Sequence, residues 1–200
     1  MAPRTLVTLS ALALVASCQR PAAPAADAAE PALSGDAAKI AEAESAAPAV
    51  IAANATIMDW PATEGGEPRL LRTGTNGWTC FPSTPVAPGT EAQGEDPMCL
   101  DAPFQDWAQA WMARRSPRIS SIGIAYMLQG DRGASNTDPF ATGPTADNEW
   151  VVTGPHIMVV VPDLKQLEGF GHDPASGGPY VMWRGTPWAH LMVPVAGRAP

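Results

Sequence analysis

The chain has 200 residues, room for one domain of ordinary size. Lys and Arg total 12 against 20 Asp and Glu, a net charge of -8, which excludes sequence-blind nucleic-acid binding because that needs a basic surface. Hydrophobic residues make up 46%, enough for a packed core, while 22 prolines and 18 glycines favour short elements and many turns over a bundle of long helices.

Residues 1–17 read as an export signal: Arg4 supplies the positive start, and residues 6–15 form an apolar run too short to span a bilayer. Val15-Ala16-Ser17-Cys18 then resembles the bacterial lipobox, in which a cysteine follows the cleavage point. The resemblance covers this segment alone; a plain secretory signal with a chance cysteine is the other reading. It implies a lipoprotein: diacylglycerol (palmitate-type chains) on the Cys18 sulfur, loss of the preceding peptide and acylation of the new amine. Each buried CH₂ contributes about 0.8 kcal/mol, so two or three chains on one residue anchor firmly. Gln19 stands where Asp in that family marks inner-membrane retention, so the resemblance implies the outer membrane, facing the periplasm. Residues 18–36 are Ala/Pro-rich and too poor in large apolar groups to offset chain entropy; they read as a disordered, stiff tether. About 18 residues at roughly 3.1–3.3 Å each reach about 55–60 Å. That length serves as stand-off from the lipid, unless the segment is simply a loose terminus.

Residues 36–47 suggest a short helix capped by Asp36 and stopped by Pro48. Residues 55–60 read as a strand, Glu64-Gly65-Gly66-Glu67 as a turn and residues 69–72 as a second strand. Asn76-Gly77 is a hairpin signal and residues 78–81 a third strand, together an antiparallel meander. Residues 82–98 form a polar, proline-rich loop. Asp101 then caps the best helix, in which Phe104, Trp107, Ala108 and Trp111 fall at i, i+3, i+4 and i+7. Arg114 and Arg115 suit its C-terminal dipole and Pro117 ends it. The Trp stripe reads as core packing against a sheet, with a ligand platform as the other reading. Residues 121–128 make a central strand and 129–149 a long loop. Three strand candidates follow: 150–153 running on through 156–161, then 180–184, then 189–195. The expectation is a single α+β domain over residues 37–200, a largely antiparallel sheet with one main amphipathic helix packed on a face.

With Cys18 assigned to lipid, Cys80 and Cys99 remain and read as a disulfide tying the third strand to the start of the helix. Neither lies in a C-x-x-C unit, and a catalytic thiol would not stay reduced outside the cytosol. Two segments echo each other, Gly154-Pro155-His156-Ile157-Met158-Val159 and Thr186-Pro187-Trp188-Ala189-His190-Leu191-Met192-Val193. Each puts a histidine at the head of an apolar strand. If the strands are neighbours, His156 and His190 lie side by side at one end, as ligands for Zn²⁺ or another divalent ion or with one as a general base. The bland reading is two hydrogen-bonded structural histidines. His172, in a Gly/Asp/Pro loop, reads as exposed. Asp131, Asn136 and Asp138 form an oxygen-rich loop that suits Ca²⁺, although such residues commonly make their own turns and the EF-hand spacing is absent. Trp150, Trp183 and Trp188 near strand ends suggest sugar or peptide stacking if partly exposed, with core and rim packing as the bland reading. No G-x-S-x-G, H-E-x-x-H, P-loop or G-x-G-x-x-G motif occurs, and the sequence names no cofactor.

From Asn76 onward the chain resembles a group of uncharacterised exported bacterial proteins, through Asn76-Gly77-Trp78-Thr79-Cys80, Pro97-Met98-Cys99, Tyr126-Met127-Leu128, Gly154-Pro155-His156 and Ala189-His190. That resemblance implies a unified domain and no particular reaction. The sequence reading is therefore a membrane-anchored envelope lipoprotein that binds a partner protein or small ligand. A metal-dependent or histidine-assisted enzyme using His156 and His190 is the alternative, and a purely structural envelope protein a third.

Overall fold

A computed structural model describes residues 34–63, 65–86 and 94–196. These belong to one unit, Leu33–Pro200. The export signal, Cys18, nearly all of the tether and Glu64 of the expected turn lie outside the described residues.

The elements run α1 (Asp36–Ser45), α2 (Ala49–Ala52), β1 (Thr56–Asp59), β2 (Arg69–Arg72), β3 (Thr79–Phe81), β4 (Met98–Leu100), α3 (Ala102–Met112), β5 (Gly123–Met127), β6 (Ala134–Ser135), β7 (Trp150–Val151), β8 (His156–Val160), β9 (Tyr180–Met182) and β10 (His190–Pro194). Eight strands form one sheet in the order β2-β1-β3-β4-β5-β8-β10-β9, and β6 pairs with β7 as a separate ribbon. Every pairing is antiparallel except β1 with β3. The fold is α+β, a mostly antiparallel sheet with a few helices, as the hydrophobic periodicity suggests.

Alternation along the strands sorts side chains between two faces. Leu100, Ala125, Val160, Met182 and Met192 meet Phe104 and Trp107 of α3 on one face. The other face is covered in two parts. The alanines Ala43, Ala46, Ala47, Ala52 and Ala55 bring α1 and α2 close to Ile57 and the cystine. Farther across, Leu167 from a short 3₁₀ turn, Leu164–Leu167, packs on Val181 and Leu191.

The N-terminal helix is held by charge as well as by methyl groups. Asp36 is not its cap; Gly35 is, and Asp36 instead accepts two bonds from Arg69, at 2.7 and 2.8 Å. Asp59 lies between Lys39 Nζ at 2.7 Å and Arg69 Nη2 at 2.9 Å. Burial pushes the Asp59 carboxyl pKa up, but these two cations more than offset it and hold the group below its ordinary value. Pro48 closes α1 and opens α2.

The path of the chain around β3 and β4 also differs from expectation. Residues 73–78 do not form a hairpin between β2 and β3. The segment crosses the end of β1, so β3 emerges on the far side and runs parallel to β1, not as the third strand of a meander. Contacts with the preceding helix explain this: Asn76 Nδ2 donates to the Ile51 carbonyl at 2.8 Å, and Thr75 N–H to that of Asn54 at 2.9 Å. A Cβ on Gly74 would sit 2.1 Å from Thr56 N, so only glycine permits the crossing. The disulfide, in turn, does not reach the helix. Cys80 and Cys99 are bonded directly across β3 and β4, where the loop reading had missed a three-residue strand.

Helix α3 forms where expected with Asp101 as its cap, but it ends sooner than Pro117 would require, and the cap has a second role. Asp101 Oδ1 accepts the Phe104 N–H at 2.9 Å as the N-cap, and its Oδ2 accepts the Ile124 N–H at 2.8 Å. One carboxylate thus caps the helix and joins it to β5. The helix ends at Met112, before Pro117 acts. Arg114 adopts the left-handed φ of 52° that glycine usually takes; its N–H donates to Trp111 O and that of Arg115 to Ala110 O, both at 2.8 Å. Its guanidinium lies 4.1 Å over the Phe140 ring.

Asp101→Ala removes both bonds and should cost about 2–3 kcal/mol in urea unfolding, with Asp101→Asn costing less. Replacing both cysteines by alanine opens a cross-link between residues 19 apart in sequence and should cost about 3 kcal/mol in the same assay.

Candidate functional site

The two histidines share a face but not an end of the sheet. The β8–β10 register sets Pro194 opposite His156 and Leu191 opposite Val159, which leaves His190 at the far end of the pair. The side-by-side arrangement is thereby corrected. Each histidine heads its strand, and antiparallel strands place their heads at opposite ends. The two segments are alike for a local reason. In each, Nδ1 pairs with the backbone carbonyl two residues back, that of Gly154 at 2.7 Å for His156 and that of Trp188 at 3.1 Å for His190. A carbonyl only accepts, so Nδ1 carries the proton and Nε2 holds a lone pair. Both Nε2 atoms are buried without a hydrogen-bond partner among the described residues, and the two histidines are 0% and 2% exposed.

Trp107 and Trp183 present their rings to the His190 imidazole at 5.2 and 4.9 Å between centroids. Burial pushes the His190 pKa down to about 4; the Trp188 carbonyl opposes this and the His156 charge adds to it. Burial also lowers the His156 pKa, against the Asp131 charge. Asp131 is raised by burial in turn, against the Thr153 N–H and the His156 charge.

The oxygen-rich loop builds turns. Asp131 Oδ1 accepts from Gly133 N at 2.9 Å and Thr153 N at 2.8 Å, while Asp138 Oδ1 accepts from Phe140 N at 2.9 Å. Asn136 is buried; its Nδ2 donates to Glu149 Oε2 at 2.7 Å and to the His172 carbonyl at 2.9 Å. Asp131 and Asp138 close separate turns and Asn136 bridges to the Glu149 and His172 segments, so the three do not assemble the expected Ca²⁺ cradle. Among the described residues, no group of three or more His, Cys, Asp or Glu is placed to hold a metal ion. His172 is exposed.

The tryptophans divide. Trp183 is 7% exposed and stacks on Trp107 and Trp111 at 6.0 and 5.4 Å, so it packs in the core, as the packing reading has it, and offers no exposed stacking platform. It holds an uncommon left-handed φ of 56°, secured by its N–H to Asn136 O at 2.9 Å and its indole N–H to Ser135 O at 2.7 Å. Trp150 and Trp188 are half-buried. Trp150 covers Gly133, where a Cβ would lie 2.2 Å from the indole nitrogen. Trp188 packs edge-on with Phe140 at 4.8 Å and donates to the Arg115 carbonyl at 2.9 Å.

Two clefts open where sequence reasoning placed nothing. One, of about 280 Å³, is walled by Thr153, Pro155, Pro174, Tyr180 and Pro194, with the Thr153 and Tyr180 hydroxyls 3.3 Å apart. His156 is not part of its wall. The other, of about 610 Å³, has Leu167, Val181 and Ala189 in its lining and Glu168 and Arg184 among its polar groups. Its residues come from separated segments with no shared motif, which hides it from a linear reading. No family model, curated protein or solved structure matches the chain. Roles for these residues therefore rest on geometry alone.

Native His190 stays neutral where the unfolded residue takes up a proton. Stability should therefore be full above the unfolded pKa near 6.5 and fall as pH drops toward 4, by at most about 3 kcal/mol for this residue. Urea unfolding from pH 7 to 4 checks this: a His190→Gln variant should show a shallower slope than the parent, and equal slopes would refute it.

Proposed function

We propose that the protein is a lipid-anchored envelope protein whose α+β domain binds a ligand or partner without catalysis. The observation that carries this reading is the state of the two histidines. Both are sealed from solvent, lie at opposite ends of a strand pair and are tied by Nδ1 to a backbone carbonyl. A general base must reach its substrate's proton, and paired metal ligands must converge on one point. Neither requirement suits these rings. The metal-dependent or histidine-assisted enzyme is correspondingly less well supported.

Two open, largely apolar clefts favour ligand binding over a purely structural role. Among the described residues no helix is long and apolar enough to cross a membrane. In this reading attachment rests on Cys18, in the lipobox-like segment, with Gln19 favouring the outer membrane. The acidic balance, 20 acids against 12 bases, sets nucleic acid aside as a partner.

In a bacterial host, the native chain should incorporate radiolabelled palmitate and sediment with membranes. The Cys18→Ser variant should do neither. Continued labelling or membrane retention of that variant would remove the anchor from the proposal.

A further inference from the structure

Charge is unevenly spread along this acidic chain. Residues 107–130 and 174–196 contain no Asp or Glu, and the first stretch carries Arg114, Arg115 and Arg118. The fold brings the two stretches together where α3 ends. Trp188 donates its indole N–H to the Arg115 carbonyl at 2.9 Å and packs edge-on against Phe140 at 4.8 Å. The Arg114 guanidinium lies 4.1 Å over that same Phe140 ring.

These arginines lack the partners that other cations of the domain have. Lys39, Arg69, Arg72 and Arg132 pair with acids, whereas Arg114, Arg115 and Arg118 are exposed and make no ion pair among the described residues. Three like charges within five residues repel one another, a cost that an external anion removes. Arg114 also holds its place at a left-handed φ of 52° that glycine adopts more easily. Met112, 62% exposed and two residues before Arg114, adds apolar surface beside the half-buried Phe140 and Trp188.

Neither cleft includes these residues, so the surface is open and suits a broad partner better than a small ligand. Arginine beside an indole and an exposed methionine fits the headgroup zone of a bilayer, where guanidiniums meet phosphates and an indole keeps one end apolar and the other wet. The net charge of -8 does not forbid the contact. Charges are screened beyond about 8 Å at physiological ionic strength, so acids elsewhere on the domain count for little. Asp138, exposed two residues before Phe140, is the acid of the neighbouring turn, and three cations outweigh it.

We infer that the surface formed by Arg114, Arg115, Arg118 and Trp188 docks on an anionic phospholipid bilayer. The inference rests on the lipid-anchored reading and says how the domain meets its membrane. At full extension residues 18–33 span about 50 Å, so the anchor keeps this surface within reach of the bilayer and a weak contact suffices.

Amide NMR of the full chain carrying Cys18→Ser reads the contact without the anchor. Bicelles of equal parts phosphatidylcholine and phosphatidylglycerol should broaden the signals of residues 112–118 and 186–188, and pure phosphatidylcholine bicelles should not. Each arginine near such a surface contributes about fivefold in affinity, so Arg115→Gln combined with Arg118→Gln should weaken binding roughly 25-fold. Both side chains are exposed, and an unchanged amide spectrum will verify that the variant folds. Lys165→Gln removes an exposed cation of the Leu164–Leu167 turn, away from this surface, and should leave the affinity unchanged.

Absence of broadening with the anionic bicelles overturns the inference. So does equal broadening by phosphatidylcholine alone, unaltered affinity in the folded double variant, or a loss of the same size in Lys165→Gln. Tighter binding of poly-glutamate than of the anionic bicelles also overturns it, in favour of an acidic protein partner. Those results leave the anchor standing, because palmitate labelling of the native chain reads Cys18 independently. A native chain that takes up no palmitate would overturn the anchored reading, and this inference with it.

Discussion

The antiparallel pairing of β8 with β10 is the constraint on which the rest of the structure depends. Two similar segments, each a histidine followed by an apolar run, meet head to tail. Pairing in that sense sends one histidine to each end and brings Met158 and Met192 directly opposite each other between them. Because side chains alternate, the register also keeps both rings on the face that α3 covers. Parallel pairing of the same segments would have juxtaposed the imidazoles and made the metal reading natural. The carbonyl bonds of Gly154 and Trp188 then consume the proton-bearing nitrogen of each ring, so the echo in sequence records a repeated local turn.

Burying these groups carries a cost. An unsatisfied buried acceptor costs about 1–3 kcal/mol, and His156 Nε2, His190 Nε2 and Asn136 Oδ1 have no hydrogen-bond partner among the described residues. Trp183 adds backbone strain. Aromatic packing offsets part of this. Trp107 contacts Phe104, Trp111, Trp183 and His190, so a single α3 residue joins the helix to both the sheet and the 183–190 segment. At the other end of the sheet, the alanine-rich helix, the cystine and the Asp36–Arg69–Asp59–Lys39 chain of charges do corresponding work. The clefts occur where neither arrangement extends.

Sequence periodicity made the local elements legible and left their pairing open. The Phe104–Trp107–Trp111 stripe and the Asp101 cap were readable because both are signals within one turn or two. Strand β2 was readable from its flanking turns. The partner of β3 was not: Asn76-Gly77 has the composition of a hairpin, and only its contact with α2 diverts it. Strand β4 was hidden by its three-residue length, which is why the cystine seemed to reach the helix. Core packing of Trp183 was one of the two readings its position allowed, but nothing local announces that Trp107 and Trp111 are the rings that cover it. The larger cleft was harder still. Arg184 and Leu167 come together only when the 3₁₀ turn folds over β9, a long-range event with no periodic trace.

The most direct test of the structural assignment of the histidines is nitrogen NMR of the imidazole rings. For both His156 and His190, the account predicts a neutral ring protonated at Nδ1 at pH 7, no titration near pH 6.5 and no response to stoichiometric Zn²⁺. A ring that titrates normally, a proton on Nε2, or a joint shift of both rings on adding Zn²⁺ would contradict it.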